Sequence, residues 1–94
     1  MPIDTGDLSD KTYVAILCEA ERFNHDLTLQ FGLLSYHCKD EADYIAQAKV
    51  LIKELLECDE YDVDDLFFGN PPPMKDFHAA LNRIKKNIKE LETK

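Results

Sequence analysis

Apolar residues recur every third or fourth position along most of this chain, and no stretch alternates with a period of two. The last third shows the rule most plainly: Phe77, Leu81, Ile84, Ile88 and Leu91 follow a 4-3-4-3 spacing. A helix turns about 100° per residue, so this spacing lines one helical face, whereas a strand needs period two. An amphipathic helix buries its stripe only against another element. The expected fold is therefore all-α.

Asp7 or Ser9 suits the first N-cap. Tyr13, Leu17, Ala20, Leu27, Phe31 and Leu34 then form a stripe, widened by Ile16 and Phe23, with Asn24 in its one polar slot. This predicts a helix over residues 9–37, weakened at Gly32 by about 1 kcal/mol relative to alanine. Asp40 suits the next N-cap, with Glu41 and Asp43 in a first turn that favours negative charge. Tyr44, Ile45, Ala48, Leu51, Ile52, Leu55 and Leu56 give a second helix over 40–58. An acidic, aromatic and proline-rich stretch follows. It predicts a short helix over 62–68 starting at Asp62 and stopped at Gly69. Asn70 and Pro71 then open a last helix over 71–92. Short connections make neighbouring helices antiparallel. The expectation is an up-down-up three-helix bundle with a short extra helix in its second connection. Residues 1–8, polar and without an apolar core, read as a flexible tail on a single domain spanning 1–94.

The formal net charge is −8, unevenly spread. Residues 1–70 hold five Lys/Arg and sixteen Asp/Glu, a net −11, while residues 71–94 hold six and three, a net +3. So acidic a body repels nucleic acid and anionic membrane, and neither is expected as a partner. Cys18, Cys38 and Cys58 are odd in number and form no CxxC. With no secretion signal legible in the opening residues, they suggest reduced thiols in the cytoplasm.

The C-terminal half of the first helix carries a second stripe. With Leu27 at zero, Phe31 and Leu34 project within about 40°, but Leu29, Leu33 and Tyr36 project at about 200°, 240° and 180°. A helix apolar on both sides is buried on both sides or presents a patch that something covers. Leu66, Phe67 and Phe68 folding back is one covering. A partner protein or a second copy is the other.

Motifs for chemistry are thin. Glu21 and His25 stand at i and i+4 and are weak metal candidates, since two ligands do not make a tight site. Six carboxylates between Glu57 and Asp65 suggest calcium, but the central glycine and terminal glutamate of an EF-hand loop are missing. His25 is followed by Thr28 and Leu29, where a phosphotransfer helix carries lysine and glycine. Cys58 and His78 form no recognisable catalytic motif, and no nucleotide-binding or hydrolase signature occurs. No cofactor is expected, and no enzyme. Lys85, Lys86 and Lys89 read as a solvated face. The proline triplet lacks PxxP and reads as a stiff connector.

The functional expectation is a small, acidic protein–protein interaction module, an inhibitor or immunity-like binder of a basic partner. Contact is expected through Leu29, Leu33, Tyr36, Asp62, Asp64, Asp65, Phe67 and Phe68. The first alternative is a homodimer built on the second stripe. The second is a metal-binding or thiol-dependent helical protein.

Overall fold

A computed structural model describes Ile3 and residues 5–92 of the chain. All regular structure among these residues is helical. Met1, Pro2 and Asp4 of the expected tail lie outside the described residues. Thr5–Asp7 forms a 3-10 turn, Leu8 is buried, and the Ile3 amide donates to the Cys38 carbonyl at 3.0 Å.

The expected first helix is divided. Helix α1 (Asp10–Tyr13) runs into a π-helical turn (Val14–Cys18) and then into α2 (Glu19–Phe23). There the chain stops. Asn24 is extended, with φ −165° and ψ 137°, and its side-chain oxygen accepts from the Asp26 amide at 2.7 Å. It is the N-cap of a new helix, α3 (His25–Leu34), with Asp26 adding a carboxylate where the helix dipole favours one. Helix α3 turns back alongside the Val14–Cys18 turn. An unbroken helix over 9–37 would be about 43 Å long, longer than the molecule, whose greatest extent is 33 Å.

The π turn has its own consequence. One extra residue in the turn moves the core position from the fourth to the fifth residue before Leu17. Thr12 is therefore buried, while Tyr13, expected in the stripe, is 43% exposed. Within the π turn, the Ala15 carbonyl accepts from the Asn87 side chain at 3.1 Å.

After a 3-10 turn (Ser35–His37), α4 (Glu41–Glu57) starts at Asp40, which accepts from the Asp43 amide at 2.8 Å. Helix α5 (Glu60–Leu66) begins earlier than expected. Its cap is Asp59, which accepts from the Asp62 amide at 2.9 Å, and not Asp62 itself. Helix α6 (Met74–Glu92) begins later than expected. Asn70, Pro71 and Pro72 each precede a proline, which disfavours helical backbone in the residue before it. The first bond of α6 runs from the Phe77 amide to the Pro73 carbonyl at 3.0 Å.

Side-chain pairs give the directions. Phe23 faces Phe77, Glu19 pairs with Arg83 at 3.2 Å, and Ala15 meets Asn87. Residues 10–23 and α6 are thus antiparallel. Lys49 pairs with Glu92, and the groove from there runs forward along α4 and backward along α6, so these two are also antiparallel. The Ser9 amide bonds the Glu41 carboxylate, placing the starts of α1 and α4 at one end. The course is up through 10–23, down α3, up α4, and down α6 after α5. The expected three-helix bundle gains a fourth leg because Asn24 folds the first helix in two.

The core is continuous from Leu8 and Ile16 through Leu27, Phe31 and Tyr44 to Leu81, Ile84 and Ile88. One polar bond fixes the α3–α4 hairpin. The Ser35 amide turns to the Gly32 carbonyl as α3 tightens, and the Tyr44 hydroxyl donates to the Phe31 carbonyl at 2.9 Å. Burial pushes the Tyr44 phenol well above its usual value, so it stays a donor. Tyr44→Phe is expected to lower stability by about 1–2 kcal/mol, because a buried carbonyl loses its partner. Urea unfolding with an unchanged m-value checks this.

Candidate protein-binding surface

Helix α3 has the two faces its spacing implies. Leu27 and Phe31 are fully buried, while Leu29, Leu33 and Tyr36 are 43%, 57% and 58% exposed. All of them follow Asn24, so their relative phase survives the break.

The Leu66-Phe67-Phe68 arm does not cover this stripe. Phe67 is 1% exposed and belongs to the core. Its ring meets Phe77 edge-on at 5.5 Å and Phe23 at 6.5 Å, both favourable geometries. Phe67 is therefore unavailable to a partner, contrary to expectation. Its neighbour Phe68 is 77% exposed.

The reason is the end of α5. The Gly69 amide donates to the Asp64 carbonyl at 2.9 Å and the Phe68 amide to the Asp65 carbonyl at 3.2 Å. This paired pattern is a Schellman motif, which requires a left-handed residue after the cap. That residue is Phe68, at φ 55°, with Gly69 following at φ 85°. A side chain in that region costs roughly 1–2 kcal/mol. Phe68 is thus held outward by backbone that glycine would suit better. Phe68→Gly is expected to raise stability by about 0.5 kcal/mol, the relieved strain being partly offset by a freer unfolded chain. A higher urea midpoint at constant m-value is the readout.

Around Phe68 the surface is acidic. Asp59, Glu60, Asp62, Asp64 and Asp65 are exposed, and none of their carboxylates is within 4 Å of a Lys or Arg nitrogen among the described residues. Tyr61, in the same acidic-aromatic stretch, is 86% exposed. Tyr61, Val63, Pro71, Pro73 and Met74 line an open groove of about 590 Å³ with Glu60 and Asp64 at its edges. The proline triplet forms one wall of it.

The remaining candidates stay apart. His25 Nδ1 lies 3.0 Å from Glu21 Oε2 across the Asn24 corner. Hydrogen bonds from His25 and Thr28 hold the Glu21 carboxyl below its usual value. No third ligand joins them among the described residues. All three cysteines are free. The Cys38 thiol donates to the Leu34 carbonyl and the Cys58 thiol to the Glu54 carbonyl, at 3.3 and 3.2 Å. Burial, then nearby carboxylates, pushes both thiols up, away from the reactive thiolate. No helix among the described residues is long and apolar enough to cross a membrane.

No protein-family model, curated protein or solved structure matches the chain.

Proposed function

We propose that the protein is a cytoplasmic binding module whose acidic, aromatic-bearing α5 face docks on a basic protein, acting by occlusion or tethering and not by catalysis. The observation that carries this reading is Phe68, an aromatic ring held out to solvent by left-handed backbone. Strained backbone concentrates at functional sites, and exposed aromatic rings are typical interface anchors. The unpaired carboxylates around it would steer a positively charged partner and speed its encounter. Net charge of −8 argues against nucleic acid and anionic membrane as targets.

The test is quantitative crosslinking in native extract with the wild type, Tyr61→Ser/Phe68→Ser, and Asp62→Asn/Asp64→Asn/Asp65→Asn. A single stoichiometric basic partner, lost with either variant and weakened by salt, is the expected result. Equal capture by all three proteins would overturn the reading.

A second reading, self-association, is favoured by the uncovered Leu29, Leu33 and Tyr36 stripe. Light scattering coupled to size-exclusion chromatography would then show a concentration-dependent dimer that Leu29→Asp/Leu33→Asp abolishes. A strict monomer at the highest concentration would rule it out.

A further inference from the structure

The outward face of α3 has three properties besides its exposure. It is uncharged: residues 27–38 hold no Asp, Glu, Lys or Arg, the longest such run in a chain that is 32% charged. Gly32 lies within it. With Leu27 at zero, Gly32 projects at about 140° and Asp26 at about 260°, on either side of Leu29, Leu33 and Tyr36. Glycine inside a helix costs stability relative to alanine. Nothing within the molecule requires it here, since its φ is not left-handed and a Cβ would meet no atom within 4 Å. The space above Gly32 is open. Finally, the run is bounded by opposite charges. Asp26 precedes it in the first turn of α3 and Lys39 follows it, and neither side chain forms an ion pair among the described residues. The next acids, Asp40 and Asp43, accept from backbone amides of their own segment, at 2.8 and 3.1 Å.

We propose, resting on the self-association reading, that α3 packs antiparallel on α3 of a second copy, with the two-fold axis between Gly32 and Leu33. The chain is self-complementary about that point. Leu33 of one copy opposes Gly32 of the other, Leu29 opposes Tyr36, and Asp26 opposes Lys39. Each Leu33 is a knob for the opening over the facing Gly32, where the missing side chain lets the backbones approach. Both ends of the contact gain an ion pair, and no like charges meet within the uncharged run, although each copy carries a net −8. This pairing is what selects a second copy as the occupant, because a two-fold contact needs one patch that complements itself. No row of Lys or Arg on this face offers anionic lipid a hold. One helix face falls well short of the roughly 800 Å² per partner of a stable interface. The pair is therefore reversible, and dilute protein is monomeric.

Sedimentation of the full chain from about 10 μM to 1 mM, the range of weak association, is expected to show a reversible monomer–dimer equilibrium. Gly32→Gln is expected to raise the urea midpoint, glutamine being the better helix former, and to weaken the dimer at least about tenfold by filling the opening. A glycine kept only for the fold would not give effects of opposite sign. Lys39→Glu alone and Asp26→Lys alone each set like charges against one another at both ends, and each should weaken self-association. An equimolar mixture of the two should form a mixed dimer in preference to either homodimer, because both ends are then complementary. Helical spectra should be unchanged, as neither residue belongs to the core. A strict monomer throughout overturns the proposal together with self-association. So does a dimer indifferent to Leu29→Asp/Leu33→Asp, which would place the contact elsewhere. A dimer that Leu29→Asp/Leu33→Asp abolishes, but that Gly32→Gln leaves unchanged or whose charge variants show no preference for the mixed pair, overturns the antiparallel register alone and leaves self-association standing.

Discussion

Replacing Asn24 with leucine is expected to produce a dimer that exchanges its N-terminal helices. Asn24 is the only extended residue between α2 and α3, and its side chain caps α3. Removing the cap costs about 1 kcal/mol. Leucine would instead fill the single polar slot in a stripe whose phase is otherwise continuous from Leu17 to Leu34. The two helices could then fuse over residues 10–34 into a rod of about 37 Å, longer than the molecule's 33 Å extent. Leu27 and Phe31, fully buried in the hairpin, would be carried away from their own core. Burying them against a second copy recovers the same contacts, which is how shortened hinges produce swapped dimers. Light scattering should give twice the monomer mass for Asn24→Leu and the monomer mass for Asn24→Asp, which keeps the cap. A monomeric, merely less stable Asn24→Leu would mean that tertiary packing, not the cap, makes the corner.

Phe67→Ala is expected to cost about 3–5 kcal/mol, the usual loss for a fully buried aromatic ring. For a domain of this size that is a large share of a total stability of about 5–10 kcal/mol, and each kcal/mol corresponds to roughly 4–8 °C in Tm. Phe67 is the point at which α5 is fastened to the first leg and α6 together, through Phe23 and Phe77. Its loss should release α5 first, so amides of residues 60–69 should exchange faster than those of α6. The adjacent Phe68→Ala should change stability by no more than about 0.5 kcal/mol, as expected of an exposed side chain. Equal effects at both positions would mean that α5 is not seated as described.

The helical class and the inward face of α6 could be read from spacing alone, because Phe77, Leu81, Ile84 and Ile88 have uninterrupted phase and all end at most 1% exposed. Asn24 shows where spacing misleads. A hairpin of two helices keeps the stripe facing the same core, so periodicity runs through the corner unchanged. The available signal was chemical: an asparagine followed two residues later by an aspartate is an N-cap pattern. The π turn left no trace in hydropathy, because Thr12 and Tyr13 differ by a single position. The proline triplet could have been read more closely, since a residue before proline resists helical backbone. Leu29, Leu33 and Tyr36 were legible as an outward stripe. Phe67 and Phe68 were not separable, because adjacent residues at a helix end are sorted by backbone bonds that only the fold defines.

The π turn also bears on how this chain tolerates changes of length. Thr12 sits five residues before Leu17, where a regular helix would use four, so the first leg holds one residue more than its core contacts require. Val14 lies within the surplus turn and is 55% exposed. A chain lacking Val14 would bring Thr12 four residues ahead of the former Leu17 and leave it facing the same core. Most single-residue deletions inside a helix rotate everything before them by about 100°. Here the helix has slack of one residue, and this segment is where a shorter version of the protein could keep the same interior.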